Sequence, residues 1–145
     1  MRFPLFVDLS GKQAVLFGGG AVSARRAEVL LRFGAAVTVV APELNAHFPD
    51  GVTYLSRPYA PGDLEGAFLA VAATDDRAVN RAVGEEARRR GIPVSVADCP
   101  EECTFFFPAV CEGETLIAGV ISKNGADHRA TAVGARAIRR TLEEF

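Results

Sequence analysis

Two sets of residues in this chain have types and spacings suited to chemistry. The first is Gly18-Gly19-Gly20-Ala21-Val22-Ser23-Ala24-Arg25-Arg26, which follows directly on the apolar stretch Ala14-Val15-Leu16-Phe17. Glycine is required where backbone must approach an anion closely or take a positive φ, and the start of the next helix supplies free N–H groups. Gly18 and Gly20 take the first two places of G-x-G-x-x-G, with Ser23 or Ala24 as a small residue in the third. This pattern suits the pyrophosphate of a dinucleotide, held by Gly18, Gly19, Gly20, Ala21 and Val22. A glycine-rich turn with no ligand is the competing reading.

The second set is led by Asp98, which stands just past the apolar run Pro93-Val94-Ser95-Val96-Ala97. An oxidation that sends a hydride to a nicotinamide leaves a proton to be removed, and a carboxylate beside the coenzyme can take it as general base. An aspartate that merely shapes a turn is the alternative. Pro42 and Glu43 follow the second strand signal, where an acidic residue binds ribose hydroxyls in many NAD sites; Glu43 stands slightly late for this, and a solvated loop charge is the equal alternative. Thr74 offers backbone and hydroxyl contacts to the coenzyme or, equally, caps the helix after it.

These residues need strands and helices to hold them. Apolar runs predict strands over 13–18, 35–41, 52–55, 67–73 and 93–97. Helical spacing and stop signals predict helices over 23–33, ended by Gly34, and from the Thr74-Asp75-Asp76 cap to about Arg90, ended by Gly91. A short helix is expected between Pro42 and the third strand. Alternating strands and helices specify an α/β fold of Rossmann type, a doubly wound parallel sheet that binds ligands beyond the strand C-termini. After Pro100 the rhythm changes. Strands over 104–110 and 115–121 read as a β-hairpin, and a helix is expected over 129–143. The expected division is 1–100 for the dinucleotide-binding domain and 101–145 for a hairpin-and-helix appendage.

Composition narrows the function classes. With 145 residues, 49% of them hydrophobic, the chain can bury a core. A net charge of -2 argues against nucleic acid as a partner. No apolar stretch approaches the roughly 18 residues of a membrane span, and the run before Asp8 is too short for a secretory signal, so the cytoplasm is the expected compartment. Three cysteines, Cys99, Cys103 and Cys111, are an odd number at spacings that match no common zinc pattern. They read as buried thiols, with no metal site.

Phe3-Pro4-Leu5-Phe6, Gly18 to Arg26, Val40-Ala41-Pro42-Glu43, Ala72-Ala73-Thr74-Asp75-Asp76, Val96-Ala97-Asp98, Phe107-Pro108-Ala109 and Ile121-Ser122 stand in an order that resembles one family. It is the precorrin-2 dehydrogenase / sirohydrochlorin ferrochelatase family of siroheme biosynthesis, and the resemblance runs from residue 3 to about residue 125. It implies a domain that uses NAD to oxidise precorrin-2, a reduced octacarboxylate tetrapyrrole, to sirohydrochlorin. It also implies a homodimer formed through the segment after the fifth strand, and it puts Asp98 at the position of the family's chemically implicated aspartate. In better-known members the same site inserts ferrous iron.

The family's serine-rich loop facing the tetrapyrrole falls here on Ser122, Lys123 and Asn124, where an ordinary turn before a helix is the alternative. Arg129 leads a set of arginines on one arc of the last helix that suits substrate carboxylates, with a solvated charged face as the competing reading. The chain departs from the pattern at Gly125-Ala126-Asp127-His128, where Ser-Pro is common, and at Cys111-Glu112, where basic residues are common; both put iron insertion in doubt. A regulatory Rossmann module that senses NAD without catalysis is the rival reading. Asp98 with the hairpin is the feature such a sensor has no reason to carry.

Overall fold

Near-continuous apolar strands such as Leu69-Ala70-Val71-Ala72, buried at every position, are stable only with both faces of their sheet covered. The computed structural model, which describes all 145 residues, meets that demand with a five-stranded parallel sheet. Its strands are β1 (Gln13–Phe17), β2 (Ala36–Ala41), β3 (Thr53–Ser56), β4 (Leu69–Ala72) and β5 (Val94–Val96), in the order β3-β2-β1-β4-β5. Every pairing is parallel, with Val15 opposite Thr38 on one side and opposite Ala70 on the other. Helix α1 (Ala21–Arg32) joins β1 to β2 and α2 (Arg77–Arg90) joins β4 to β5. Because the strand order runs outward from β1 in both directions, right-handed crossovers put the two helices on opposite faces. The doubly wound Rossmann-type sheet expected from the sequence is thus the observed fold.

The chain divides into two compact units. One is Val7–Thr104; the other combines Met1–Phe6 with Phe105–Phe145. The expected boundary at residue 100 falls short because the chain after β5 returns to it. A 3-10 turn over Pro100–Glu102 leads to Thr104, whose N–H donates to Val94 O at 2.9 Å and whose Oγ1 accepts from Val94 N–H at 2.9 Å. Cys103 Sγ accepts from Val96 N–H at 3.1 Å. These contacts cap the open edge of β5, and they belong to the sheet.

No helix forms between β2 and β3. Pro42 and Pro49 bracket that stretch, which runs as bends and loop and buries Phe48. Nor does a helix cross from β3 to β4. Residues 57–68 form turns held by buried Glu86 of α2. Its carboxylate accepts Tyr59 Oη–H at 2.6 Å, Gly62 N–H at 3.0 Å, Leu64 N–H at 3.2 Å and Arg90 Nε–H at 3.0 Å. Tyr59 stacks edge-on against Phe17 with 5.3 Å between ring centroids, and Leu64 is fully buried beneath the turn. Burying a leucine is worth about 1.5–3 kcal/mol. The loop therefore supplies apolar cover where a crossover helix would otherwise lie.

In the second unit β6 (Ala109–Glu112) pairs antiparallel with β7 (Ile117–Val120), and α3 (His128–Leu142) packs on them. The hairpin is shorter than expected and shifted. Phe105, Phe106 and Phe107 lie outside it, whereas Cys111 and Glu112, read as loop, pair with Ala118 and Ile117. The unit's small core gathers Cys111, Ala135 and Leu142 with Ala109, Ala118, Val120 and Ile138. The tip of the Phe106 ring abuts Gly125, where an added Cβ would come within 2.6 Å of it, and Arg2 covers the ring at 4.2 Å. No helix is long and apolar enough to cross a membrane.

Candidate functional site

The three glycines after β1 do different work. Gly18 takes φ +125°, and a Cβ there would sit 2.2 Å from Ala73 O at the end of β4. A Cβ on Gly19 would sit 2.0 Å from Glu43 O, past the end of β2, and the Gly19 carbonyl accepts Asn45 N–H at 2.8 Å. These two let the turn pass between neighbouring strand ends. Gly20 has ordinary extended backbone, and a Cβ on it would meet nothing within 4 Å. The space above it is open.

Gly20 is also the N-cap of α1, which carries no side-chain cap and no acidic residue in its first turn. The other two helices are closed by Asp76, which accepts Ala78 N–H at 2.9 Å, and Asp127, which accepts Ala130 N–H at 2.8 Å. The start of α1 thus presents backbone N–H groups and the positive end of its dipole to the open space at Gly20. Ser23, at the third place of the glycine motif, is fully buried and its Oγ has no hydrogen-bond partner. It acts as a small packing residue. An open cradle of N–H donors above a glycine turn fits a pyrophosphate.

The ends of the neighbouring strands complete this edge. Pro42 and Glu43 follow β2 with exposed side chains, and Thr74 follows β4. Thr74 N–H and O are both bonded to the side chain of Asn80, and Thr74 Oγ1 accepts Asp76 N–H at 3.2 Å. The capping residue of α2 is Asp76 itself. Since the sheet order reverses between β1 and β4, the glycine turn and Thr74 flank the crevice where ligands bind in such sheets.

Asp98 lies two residues past β5, partly exposed. Its Oδ1 accepts Arg77 Nη1–H at 2.6 Å, and Oδ2 has no partner. Arg77 also pairs with Glu102, and Arg88 Nη1–H donates to Glu102 O at 2.8 Å. The two arginines of α2 thereby fasten the loop that carries Asp98, with Asp98 on the same sheet edge as the glycine turn. None of the three cysteines forms a disulfide: Cys103 and Cys111 are buried and Cys99 is half-buried. No cluster of histidine, cysteine and acidic residues could hold a metal ion.

Ser122, Lys123, Asn124 and Arg129 all fall in the second unit. Ser122 Oγ donates to Asn124 Oδ1 at 3.2 Å and accepts Asp127 N–H at 3.1 Å, and Asn124 Oδ1 accepts Ala126 N–H at 3.0 Å. These two residues shape the loop that starts α3. Lys123 and Arg129 are exposed, whereas Arg139, on the same helical arc, turns back to donate to Val110 O at 3.0 Å.

Asn80, Arg77 and Glu86 carry no signal in the sequence. Each sits at helical spacing in a charged, amphipathic stretch, where an isolated polar residue carries no sign that its partners lie on another element.

A protein family described as "Putative NAD(P)-binding" matches residues 5–109, most of the chain and the whole of the edge just described. The chain belongs to this NAD(P)-binding family. The family's cofactor class agrees with the uncapped α1 and the open space at Gly20. Among curated relatives, the probable multifunctional siroheme biosynthesis protein HemA of Ruminiclostridium josui is 42% identical over 144 residues, covering 96% of this chain and 28% of the relative. The siroheme synthase of Nitrosomonas eutropha is 39% identical over 140 residues, covering 92% of this chain and 29% of the relative. The chain thus spans under a third of these relatives' length. Among solved structures, SirC, a precorrin-2 dehydrogenase, matches with a TM-score of 0.77 and 26% identity over 97% of this chain and 71% of that one. The resemblance carried by the motifs therefore extends over nearly the full length of this NAD(P)-binding chain.

Proposed function

We propose that this chain oxidises precorrin-2 to sirohydrochlorin with NAD, in siroheme biosynthesis, as a homodimer in the cytoplasm. The observation that carries the reading is Asp98, with one carboxylate oxygen unpartnered, on the same sheet edge as the uncapped start of α1. The likeness to SirC and to the siroheme proteins supports the choice of substrate.

NAD, when bound, accepts the hydride released as a C–H bond of the tetrapyrrole breaks. The chain's residues do the rest. Backbone N–H groups from Gly20 to Val22 hold the pyrophosphate, with Gly18 and Gly19 shaping the turn. Glu43, beside Pro42, accepts from ribose hydroxyls, and its charge disfavours a 2′-phosphate, which selects NAD over NADP. Thr74 lines the crevice at the end of β4. Asp98 Oδ2 takes the proton that the substrate loses, so that two hydrogens leave as a hydride and a proton. Exposed Lys123, on the loop shaped by Ser122 and Asn124, and exposed Arg129, in the first turn of α3, suit substrate carboxylates.

The dimer is supported by the apolar start of the second unit, where Phe3, Leu5 and Phe6 are 85%, 74% and 71% exposed. A surface of this kind calls for a partner. Three cysteines without a disulfide suit a reducing compartment.

Incubating the purified chain with precorrin-2 and NAD tests the reading. Sirohydrochlorin absorbance and NADH are expected to rise together. NAD binding without turnover overturns the catalytic reading in favour of a sensing module, and siroheme formation on addition of ferrous iron shows that iron insertion belongs to the same site.

A further inference from the structure

Asn80 is fully buried, and its whole amide is devoted to one residue on another segment. Its Oδ1 accepts Thr74 N–H at 3.0 Å and lies 2.7 Å from Thr74 Oγ1, while its Nδ2–H donates to Thr74 O at 3.0 Å. One side chain of α2 therefore closes both backbone groups and the hydroxyl of a residue outside any strand or helix. The residue before Thr74 is in direct contact with the glycine turn. Ala73 N–H donates to Phe17 O at 2.8 Å, and Ala73 O occupies the place a Gly18 side chain would take. Anchoring Thr74 thus fixes the carbonyl against which the turn is folded, at the point where the strand order reverses.

We infer that Asn80 is a positioning residue for the coenzyme: through Thr74 and Ala73 it holds the β4 side of the crevice against the glycine turn. An apolar residue would fill this helix position at lower cost, since a buried amide must be fully hydrogen-bonded to be tolerated. What the amide adds is a rigid wall before ligand arrives, and preorganisation of this kind raises affinity by sparing the cost of ordering on binding. The inference rests on the placement of NAD at the β1–β4 crevice.

The test compares NAD binding by calorimetry, and unfolding midpoints without ligand, in the full chain and three variants. Asn80→Leu removes all of the amide's bonds and is expected to weaken NAD binding by about tenfold or more. Asn80→Asp keeps the acceptor, loses the donor to Thr74 O, and is expected to lose less affinity. Val83→Ala, at a fully buried apolar position on the same helix, serves as the control for stability alone and is expected to bind NAD within about twofold of the unaltered chain. Folded Asn80→Leu with unchanged affinity overturns the inference, as does equal loss of affinity in Val83→Ala. If Asn80→Leu does not fold, Asn80→Asp decides in its place, and unchanged affinity there overturns it. Failure of the unaltered chain to bind NAD overturns the coenzyme reading itself, which separates the two.

Discussion

Arg77 Nη1 lies 2.6 Å from Asp98 Oδ1, so the aspartate past β5 is tied to the first turn of α2 through a single oxygen. Both side chains are substantially exposed, at 45% and 39%, which makes the pair a device for orientation more than for stability.

Asp98→Ala is therefore expected to unfold at nearly the same denaturant concentration as the unaltered chain and to bind NAD with the same affinity. Its rate of precorrin-2 oxidation is expected to fall by about 10² to 10⁴, the usual contribution of a general base. Single-turnover absorbance measurements at saturating NAD check this. An unchanged rate would remove Asp98 from the chemistry.

Substitutions along the glycine turn should separate folding from binding. At Gly18 a side chain meets Ala73 O at φ +125°, so Gly18→Ala is expected to lower stability by about 1–3 kcal/mol in urea titration. At Gly20 a side chain meets no protein atom, so Gly20→Val is expected to fold normally. Its affinity for NAD should fall at least about tenfold, because the added bulk occupies the pyrophosphate's approach. Equal NAD affinity in Gly20→Val by calorimetry would place the coenzyme elsewhere.

Stability should also decline in acid through Glu86 and Asp63. Burial acts to raise the Glu86 carboxyl, but the donors Tyr59, Gly62, Leu64 and Arg90 outweigh it and hold the group below its ordinary value of 4.5. Asp63 is likewise held below 3.8, as the bonds from Arg57 and Ala60 outweigh its burial. A carboxyl depressed on folding binds fewer protons folded than unfolded. Its contribution is complete above the unfolded value and is lost as pH falls through the lower folded one. Unfolding midpoints measured downward from about pH 6 should drop once the pH passes the ordinary carboxylate range. Glu86→Ala, which strands Tyr59 Oη–H and two loop N–H groups, is expected to cost about 3–5 kcal/mol and to flatten that decline.

Self-association gives a further check. The unaltered chain should scatter light as a dimer at about tens of micromolar, an ordinary range for dimer affinity. The double substitution Phe3→Ser and Phe6→Ser should shift it toward monomer while leaving the first unit's unfolding intact. A monomer in the unaltered chain would sink the dimer proposal.

The strands, the two long helices of the first unit and the glycine turn were legible because each is written in local order. Continuous apolar runs mark strands buried on both faces, Gly34 and Gly91 end helices, and three glycines after Phe17 announce a backbone turn that no side chain could make. Asp98 was legible for the same reason, since its place past β5 follows from the strand's length. Other features are products of contact between distant segments. The stretch after Pro42 stayed a loop because Asn45 and Glu43 are drawn onto Gly19. Thr104 joined the sheet because it caps the edge of β5, and Phe105 to Phe107 left the hairpin, with the tip of the Phe106 ring against Gly125. Glu86 and Asn80 looked like ordinary polar residues of a charged helix, yet both are buried. Their partners, Tyr59, Gly62, Leu64 and Thr74, are up to 27 positions away, and only folding places those hydrogen-bonding groups within reach. Periodicity reports which face of an element is apolar. Which buried polar group meets which partner is decided by packing, because a hydrogen bond forms only where two segments arrive within about 3 Å of each other.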